Sequence, residues 1–170
     1  MSNFAISKIE IGINKEPYII AEMSGNHNQC FEKAKQIVIA AAKAGVHALK
    51  LQTYTADTLT LPIQCGEFNI QDKQSPWDGY NLYDLYSKSY TPWEWHKDLM
   101  ELSHSLNMDC FSSPFDETAV DFLEDLDVPA YKIASFENNH LPLIKKVAQT
   151  GKPIIISTGM STKDEIEECI

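Results

Sequence analysis

Arginine is absent from these 170 residues: all 14 basic side chains are lysines, set against 24 aspartates and glutamates, for a net charge of −10. Any anion held by side-chain cations must therefore be held by ammonium point charges, not by the bidentate guanidinium fork. The acidic balance disfavours nucleic acid and anionic membrane as partners, because both are repelled at long range. Long apolar runs are missing too. None approaches the roughly 18 to 20 residues that cross a bilayer, and Met1-Ser2-Asn3-Phe4 has neither the basic flank nor the apolar core of a secretion signal. The expected compartment is the cytoplasm. Cysteine is sparse: Cys30, Cys65, Cys110 and Cys169 show no CxxC pairing and no zinc-ligand spacing, so reduced, buried thiols are expected, with Cys110 in the core. What is present is ordinary for a folded domain. A hydrophobic fraction of 44% with 22% charge excludes a disordered chain.

Residues Phe4 to Asn14 alternate apolar and polar and run into Asn14-Lys15-Glu16-Pro17, which predicts a hairpin over 1–17 with its turn there, capping one end of the fold. Tyr18 to Met23 reads as a buried strand, Ser24-Gly25-Asn26-His27-Asn28 as a polar loop, and Phe31 to Ala44 as a helix ending at Gly45. The unit then repeats. Strands are predicted at His47–Gln52, Met108–Ser113, Ala130–Ala134 and Pro153–Ser157, and helices at Thr91–Leu106, Asp116–Leu126, Leu141–Thr150 and from Thr162 onward. Strict β/α alternation leaves an open doubly wound sheet or a closed eight-stranded barrel. Five strands in 170 residues, where a complete barrel needs about 250, predict the first five-eighths of a barrel. Residues 53–90 interrupt the alternation with an aromatic insertion, expected at the barrel mouth as a lid or substrate wall.

Polar residues gather where the apolar strands stop: Glu22, Lys50, Ser112 and Ser113, Lys132 with Ser135 and Glu137, then Ser157 and Thr158. In parallel α/β folds ligands bind beyond the carboxyl ends of the strands, so the set is a site candidate. Charges inside apolar strands need one another or a ligand, and two readings stand. One is a structural ion network of Glu22 with Lys50 or Lys132; the other is a cradle for a small anion bearing phosphate or carboxylate. His27, alone beside two asparagines, reads as a solvated or hydrogen-bonded residue. The Trp93-Glu94-Trp95-His96 run reads as a packing stripe.

Ile20-Ala21-Glu22-Met23-Ser24-Gly25-Asn26-His27-Asn28, Leu49-Lys50-Leu51-Gln52-Thr53-Tyr54, Phe111-Ser112-Ser113-Pro114-Phe115, Tyr131-Lys132-Ile133-Ala134-Ser135-Phe136-Glu137 and Ile156-Ser157-Thr158-Gly159-Met160 resemble the sialic acid synthase family of nonulosonate synthases. The resemblance runs in order along essentially the whole chain. Met23-Ser24-Gly25, the Leu82 to His96 stretch and Ala134 to Asn138 look most like the branch acting on the diacetamido-trideoxy altrose precursor of pseudaminic acid, with the branches that make N-acetylneuraminate or legionaminate as the alternative.

The resemblance implies a (β/α)8 TIM barrel followed by a small antifreeze-like domain beyond residue 170, a homodimer, and a divalent metal (Mn2+ or Mg2+) at the barrel mouth. It implies condensation of phosphoenolpyruvate with an acetamido sugar aldehyde. Position by position, Lys50, Ser113, Lys132 and Ser135 match the phosphoenolpyruvate-binding set, and Glu22 and Glu137 the catalytic acids. Asn26, His27, Tyr54, Ser157 and Thr158 are sugar-side or secondary candidates. The two metal-ligating histidines of the family fall beyond residue 170, so no metal ligand is assigned in this chain and the fragment alone is expected to be inactive. The residues by themselves leave open a Schiff-base aldolase using Lys132 or Lys50, and a non-catalytic sugar-phosphate-binding module.

Overall fold

The computed structural model describes residues 4–170; the first three residues of the expected hairpin lie outside that range. Strands β1 (Phe4–Ile6) and β2 (Ile9–Ile11) pair antiparallel, Ile6 opposite Ile9. The hairpin therefore reverses at Ser7-Lys8, and not at Asn14 to Pro17. A two-residue reversal needs positive φ, and Ser7 takes it at 49° without the Gly or Asn that would have advertised the turn. Asn14 to Pro17 instead belong to the connection leading to β3 (Ile20–Glu22), which is shorter than the expected strand and leaves Glu22 exposed.

After β3 the chain runs through α1 (Phe31–Lys43), β4 (Ala48–Thr53), the insertion with α2 (Ala56–Leu59) and α3 (Leu82–Ser89), then α4 (His96–Ser105) and β5 (Asp109–Pro114). It continues through α5 (Glu117–Asp125), β6 (Tyr131–Ile133), α6 (Leu141–Gln149), β7 (Ile154–Ile156) and α7 (Lys163–Cys169). The stops explain the rhythm. Gly45, Asn107, Asp127 and Gly151 all adopt positive φ just after α1, α4, α5 and α6, ending each helix within a few residues of the next strand. Starts are equally local: Asp116 accepts from Thr118 N–H at 2.9 Å before α5, and Thr162 with Glu165 forms a capping box on α7.

The five later strands form one parallel sheet in the order β3-β4-β5-β6-β7. Sequential order without reversal is that of a barrel and excludes the doubly wound alternative. The sheet is a five-strand portion of a TIM barrel, as the solved structures described below bear out. One face, carrying Leu49, Leu51, Cys110, Tyr131 and Ile133, packs on Val38, Leu99, Val120, Leu123, Leu143 and Val147 to make the core. Among the described residues no helix is long and apolar enough to cross a membrane.

The cysteine expectation holds only in part. All four are free, but Cys30 and Cys65 are exposed and only Cys110 is buried. The Trp93 to His96 run is packing, as read: a 3-10 turn over Trp93–Trp95 lays Trp93 on Phe122 (ring centroids 4.8 Å) and Trp95 on Phe31 (5.2 Å) before α4 begins at His96.

Candidate active site

Side chains alternate along a strand, so register decides which polar residues meet. Glu22 lies opposite Lys50, Lys50 opposite Phe111, Gln52 opposite Ser113 and Lys132 opposite Ile155. These residues share the face opposite the core helices, together with Ser157 two positions beyond Ile155. Ser112 is on the other face: its Oγ meets Thr53 Oγ1 at 2.6 Å, which in turn meets His96 Nε2 at 2.9 Å. Ser112 is thus an internal fastening beneath α4 and no part of the mouth, although the sequence placed it with Ser113.

Within the mouth, Lys50 is buried and its Nζ lies 3.3 Å from Glu22 Oε2. Lys132 Nζ donates to Ile133 O at 2.8 Å and to Ser157 Oγ at 2.5 Å. Its pKa is lowered, first by burial and then by the nearby Lys50 charge, with Glu22 and Glu137 opposing. Four charged groups from three strands and one turn therefore feel one another. Among the described residues three buried side-chain oxygens remain without partners: Ser113 Oγ and Glu137 Oε2 at the mouth, and Asp116 Oδ1 at the start of α5. Burial raises the Glu137 pKa, partly countered by its own backbone N–H, His140 and Lys132. A buried hydroxyl and carboxyl oxygen left unpaired beside two lysines is costly in isolation and is what a polar ligand would satisfy. The ion network and the anion cradle prove compatible, since the Glu22–Lys50 pair exists and unpaired groups remain beside it.

Ser135 opens the 3-10 turn Ser135–Glu137, and a β-carbon built on Gly159 would come within 3.5 Å of its Cβ, so the turns after β6 and β7 meet over the mouth. Thr158 is exposed. His27 is fully buried, its Nδ1 accepting from Gln29 N–H at 3.1 Å and its Nε2 meeting Thr91 Oγ1 at 3.2 Å. It is hydrogen-bonded wall, not solvated loop, and burial lowers its pKa. Asn26 Nδ2 donates to Met23 O at 2.9 Å.

The insertion closes one side. Gly25 lies so near Ser89, at the end of α3, that a β-carbon would be 2.8 Å from Ser89 O, and Gln29 Nε2 donates to Tyr90 O at 2.5 Å. Beneath it, a cavity of about 650 Å³ is bordered by Asn26, Gln52, Tyr54, Trp77, Tyr80 and Tyr86 among others. A second, of about 440 Å³, shares Gln52, Tyr54 and Tyr86 and reaches Phe136 and Glu137.

A family model for the NeuB family matches residues 37–170. The chain belongs to the NeuB family. The membership bears out the motif resemblance. The chain is 47% identical over 154 residues to a pseudaminic acid synthase of Helicobacter pylori, covering 91% of this chain and 45% of the relative. It is 36% identical over 154 residues to an N,N'-diacetyllegionaminic acid synthase of Legionella pneumophila, covering 90% of this chain and 42% of that one. The NeuB chain thus spans less than half the length of these curated relatives. Its fold matches an N-acetylneuraminic acid synthetase of Leptospira borgpetersenii, solved with citrate, with a TM-score of 0.82 and 27% identity over 99% of this chain and 53% of that one.

Sequence reasoning missed Gln52, Tyr86 and Trp77 in this NeuB chain. Gln52 was findable, being two residues past Lys50 and so on the same face. Trp77 was not, because no periodicity places an irregular loop, and Tyr86, on α3, reaches the cavity only through how that helix is set on the mouth. As for the metal that the resemblance implies, no group of three or more His, Cys, Asp or Glu side chains is placed to hold an ion among the described residues. The residues present do not fit one by themselves.

Proposed function

We propose that the full-length protein containing this chain is a pseudaminic acid synthase, condensing phosphoenolpyruvate with 2,4-diacetamido-2,4,6-trideoxy-altrose and water to give pseudaminic acid and phosphate. The carrying observation is the mouth itself: two lysines, an unpaired Ser113 hydroxyl and an unpaired Glu137 oxygen on one face of the sheet. Lys50 and Lys132, with the Ser113 and Ser135 hydroxyls, bind the phosphate and carboxylate of phosphoenolpyruvate. The methylene carbon of phosphoenolpyruvate attacks the aldehyde carbon, and Glu137, whose pKa burial raises, gives a proton to the aldehyde oxygen. Water adds to the phosphate-bearing carbon, left electron-poor by that attack, and loses its proton to Glu22. Collapse of the tetrahedral adduct breaks the C–O bond and expels phosphate. The altrose assignment rests on the higher identity to the pseudaminic than to the legionaminic acid synthase. A manganese or magnesium ion and a homodimer belong to the same proposal, on residues outside this chain.

A Schiff-base aldolase has one observation in its favour, the lowered pKa of Lys132. The two hydrogen bonds its ammonium donates oppose it, since they hold the cation and occupy the nitrogen. The test of the main reading is phosphate release from phosphoenolpyruvate by the full-length protein with manganese. Release that needs the altrose supports it; release with N-acetylmannosamine instead keeps the family and overturns the sugar; none with either overturns the synthase.

A further inference from the structure

The return of the insertion, Tyr90-Thr91-Pro92, is fastened at three successive residues by side chains from two other segments. Gln29 Nε2 donates to Tyr90 O at 2.5 Å, His27 Nε2 meets Thr91 Oγ1 at 3.2 Å, and His96 Nδ1 donates to Pro92 O at 3.2 Å. His27, Thr91 and His96 are all buried. His27 also serves the loop between β3 and α1, because its Nδ1 accepts the Gln29 N–H at 3.1 Å. That loop holds Ser24, Asn28 and Gln29 at φ of 48°, 50° and 54°, a left-handed conformation that costs any residue with a β-carbon and persists where contacts enforce it.

The two histidines differ in what a further proton would do. His96 Nε2 accepts from Thr53 Oγ1, which accepts in turn from Ser112 Oγ; beside a charged ring both hydroxyls can turn and this chain of bonds reverses. His27 has no such freedom. A backbone N–H can only donate, so the neutral ring carries its proton on Nε2 and shares it with Thr91 Oγ1. A proton on Nδ1 would face the Gln29 N–H, donor against donor. Of the titratable groups around the ring, Lys33 lies on α1 and His96 begins α4, while Trp95, with ring centroids 5.5 Å apart, offers no acceptor. Burial and then Lys33 lower the His27 pKa, with no carboxylate opposing them.

We infer that His27 is a positioning residue: as a neutral ring it pins the β3–α1 loop to the return of the insertion, and on gaining a proton at Nδ1 it releases both together. The two segments it joins both border the larger cavity, the loop through Asn26, Asn28 and Gln29 and the insertion through Tyr86 and Ser89, so release unseats a wall of the mouth. The opening itself is independent of the reaction assigned above; only its effect on phosphate release rests on that reading.

Hydrogen exchange of the full-length protein, read by mass spectrometry on peptides covering 24–29 and 88–92, tests the pin. Corrected for intrinsic exchange, protection of the two segments should fall together by about tenfold from about pH 7 to about pH 5. It should stay flat in His27→Asn, whose amide oxygen can still accept the Gln29 N–H but takes no proton there. Thr91→Val, which removes the other bond, should lower protection of both segments by about tenfold already near pH 7. Flat protection in the wild type, the same fall in His27→Asn, or unchanged protection in Thr91→Val would each overturn the pin. In activity, the ratio of wild-type to His27→Asn kcat/KM for phosphate release should shrink at least about fivefold over the same range, since titrations elsewhere cancel in the ratio. A constant ratio overturns the positioning role. If no phosphate is released yet exchange behaves as stated, the pin stands and the synthase reading fails.

Discussion

The two ends of the parallel sheet are made of similar residues and put to opposite use. At the amino ends of the strands, Asp109 accepts from Ser7 Oγ at 2.6 Å and from Tyr18 at 2.5 Å, while His47 Nδ1 accepts the Ile19 N–H at 2.9 Å. Tyr18 stacks on His47 with ring centroids 5.4 Å apart. Each polar atom named there has found a protein partner. At the carboxyl ends the charges are denser, and the Ser113 Oγ and Glu137 Oε2 are left unpaired. A closed hydrogen-bond set adds stability and offers nothing to a ligand; an open one gives up stability and keeps groups ready to bind. The two ends differ in what remains unsatisfied, not in how polar they are.

The sharpest way to break that contrast is to exchange one residue at each end. Lys50→Met in the full-length protein should lower kcat/KM for phosphate release by about a hundredfold or more, with the fold retained because its partner Glu22 is exposed and can be solvated. Tyr18→Phe should leave that rate within about twofold and instead cost about 1 to 3 kcal/mol of unfolding free energy, read by urea titration. If Tyr18→Phe abolishes phosphate release without changing stability, the division between the ends is wrong.

A smaller effect tests the insertion as part of the mouth. Gly25→Ala forces a β-carbon against the Ser89 backbone oxygen, which must shift. The expected cost is about 1 to 3 kcal/mol, with a raised KM for the sugar and an unaltered KM for phosphoenolpyruvate. Equal changes in both would mean that the insertion is not a wall of the sugar side.

The smallest effect is the most diagnostic of stored instability. Burial raises the Glu137 pKa, so the native state holds this proton more tightly than the unfolded chain. Its contribution to stability is complete below the unfolded carboxyl value near 4.5 and is lost as pH rises through the folded value. Glu137→Gln, which cannot ionise, should therefore melt no lower than wild type at pH 7, and its advantage should vanish by about pH 4, while phosphate release falls. A melting temperature clearly below wild type at pH 7 would show that the carboxylate is a stabilising group and not a strained one.

Much of the fold was legible because it repeats. Apolar runs of strand length, helices of 3.6-residue spacing and the punctuation at Gly45 gave the β/α order, and the terminators Asn107 and Asp127 simply do with a polar residue what glycine does elsewhere. The hairpin turn was misplaced because Ser7-Lys8 carries no local signal, whereas Asn14 to Pro17 carries a strong one and forms only a connection. For the site, period two was the informative quantity: it groups Lys50 with Gln52 and separates Ser113 from Ser112. Listing polar residues at strand ends without applying that period put Ser112 closer to the mouth than it is.

By itself, then, the chain's local chemistry determined the alternation of strand and helix, lysine as the only cation type these 170 residues offer an anion beside histidine, and the presence of Glu22, Lys50, Ser113, Lys132 and Glu137 near strand ends. These follow from nearest-neighbour propensities and from periods of two and 3.6 residues, which are local in sequence. Only the tertiary structure decided that the strands lie in sequential order, that Ser113 and Glu137 keep unpaired atoms, and that an insertion anchored at Gly25 encloses an aromatic, carboxylate-free cavity beside them. Those are properties of pairs far apart in the chain, and no local rule records which buried group will be left without a partner.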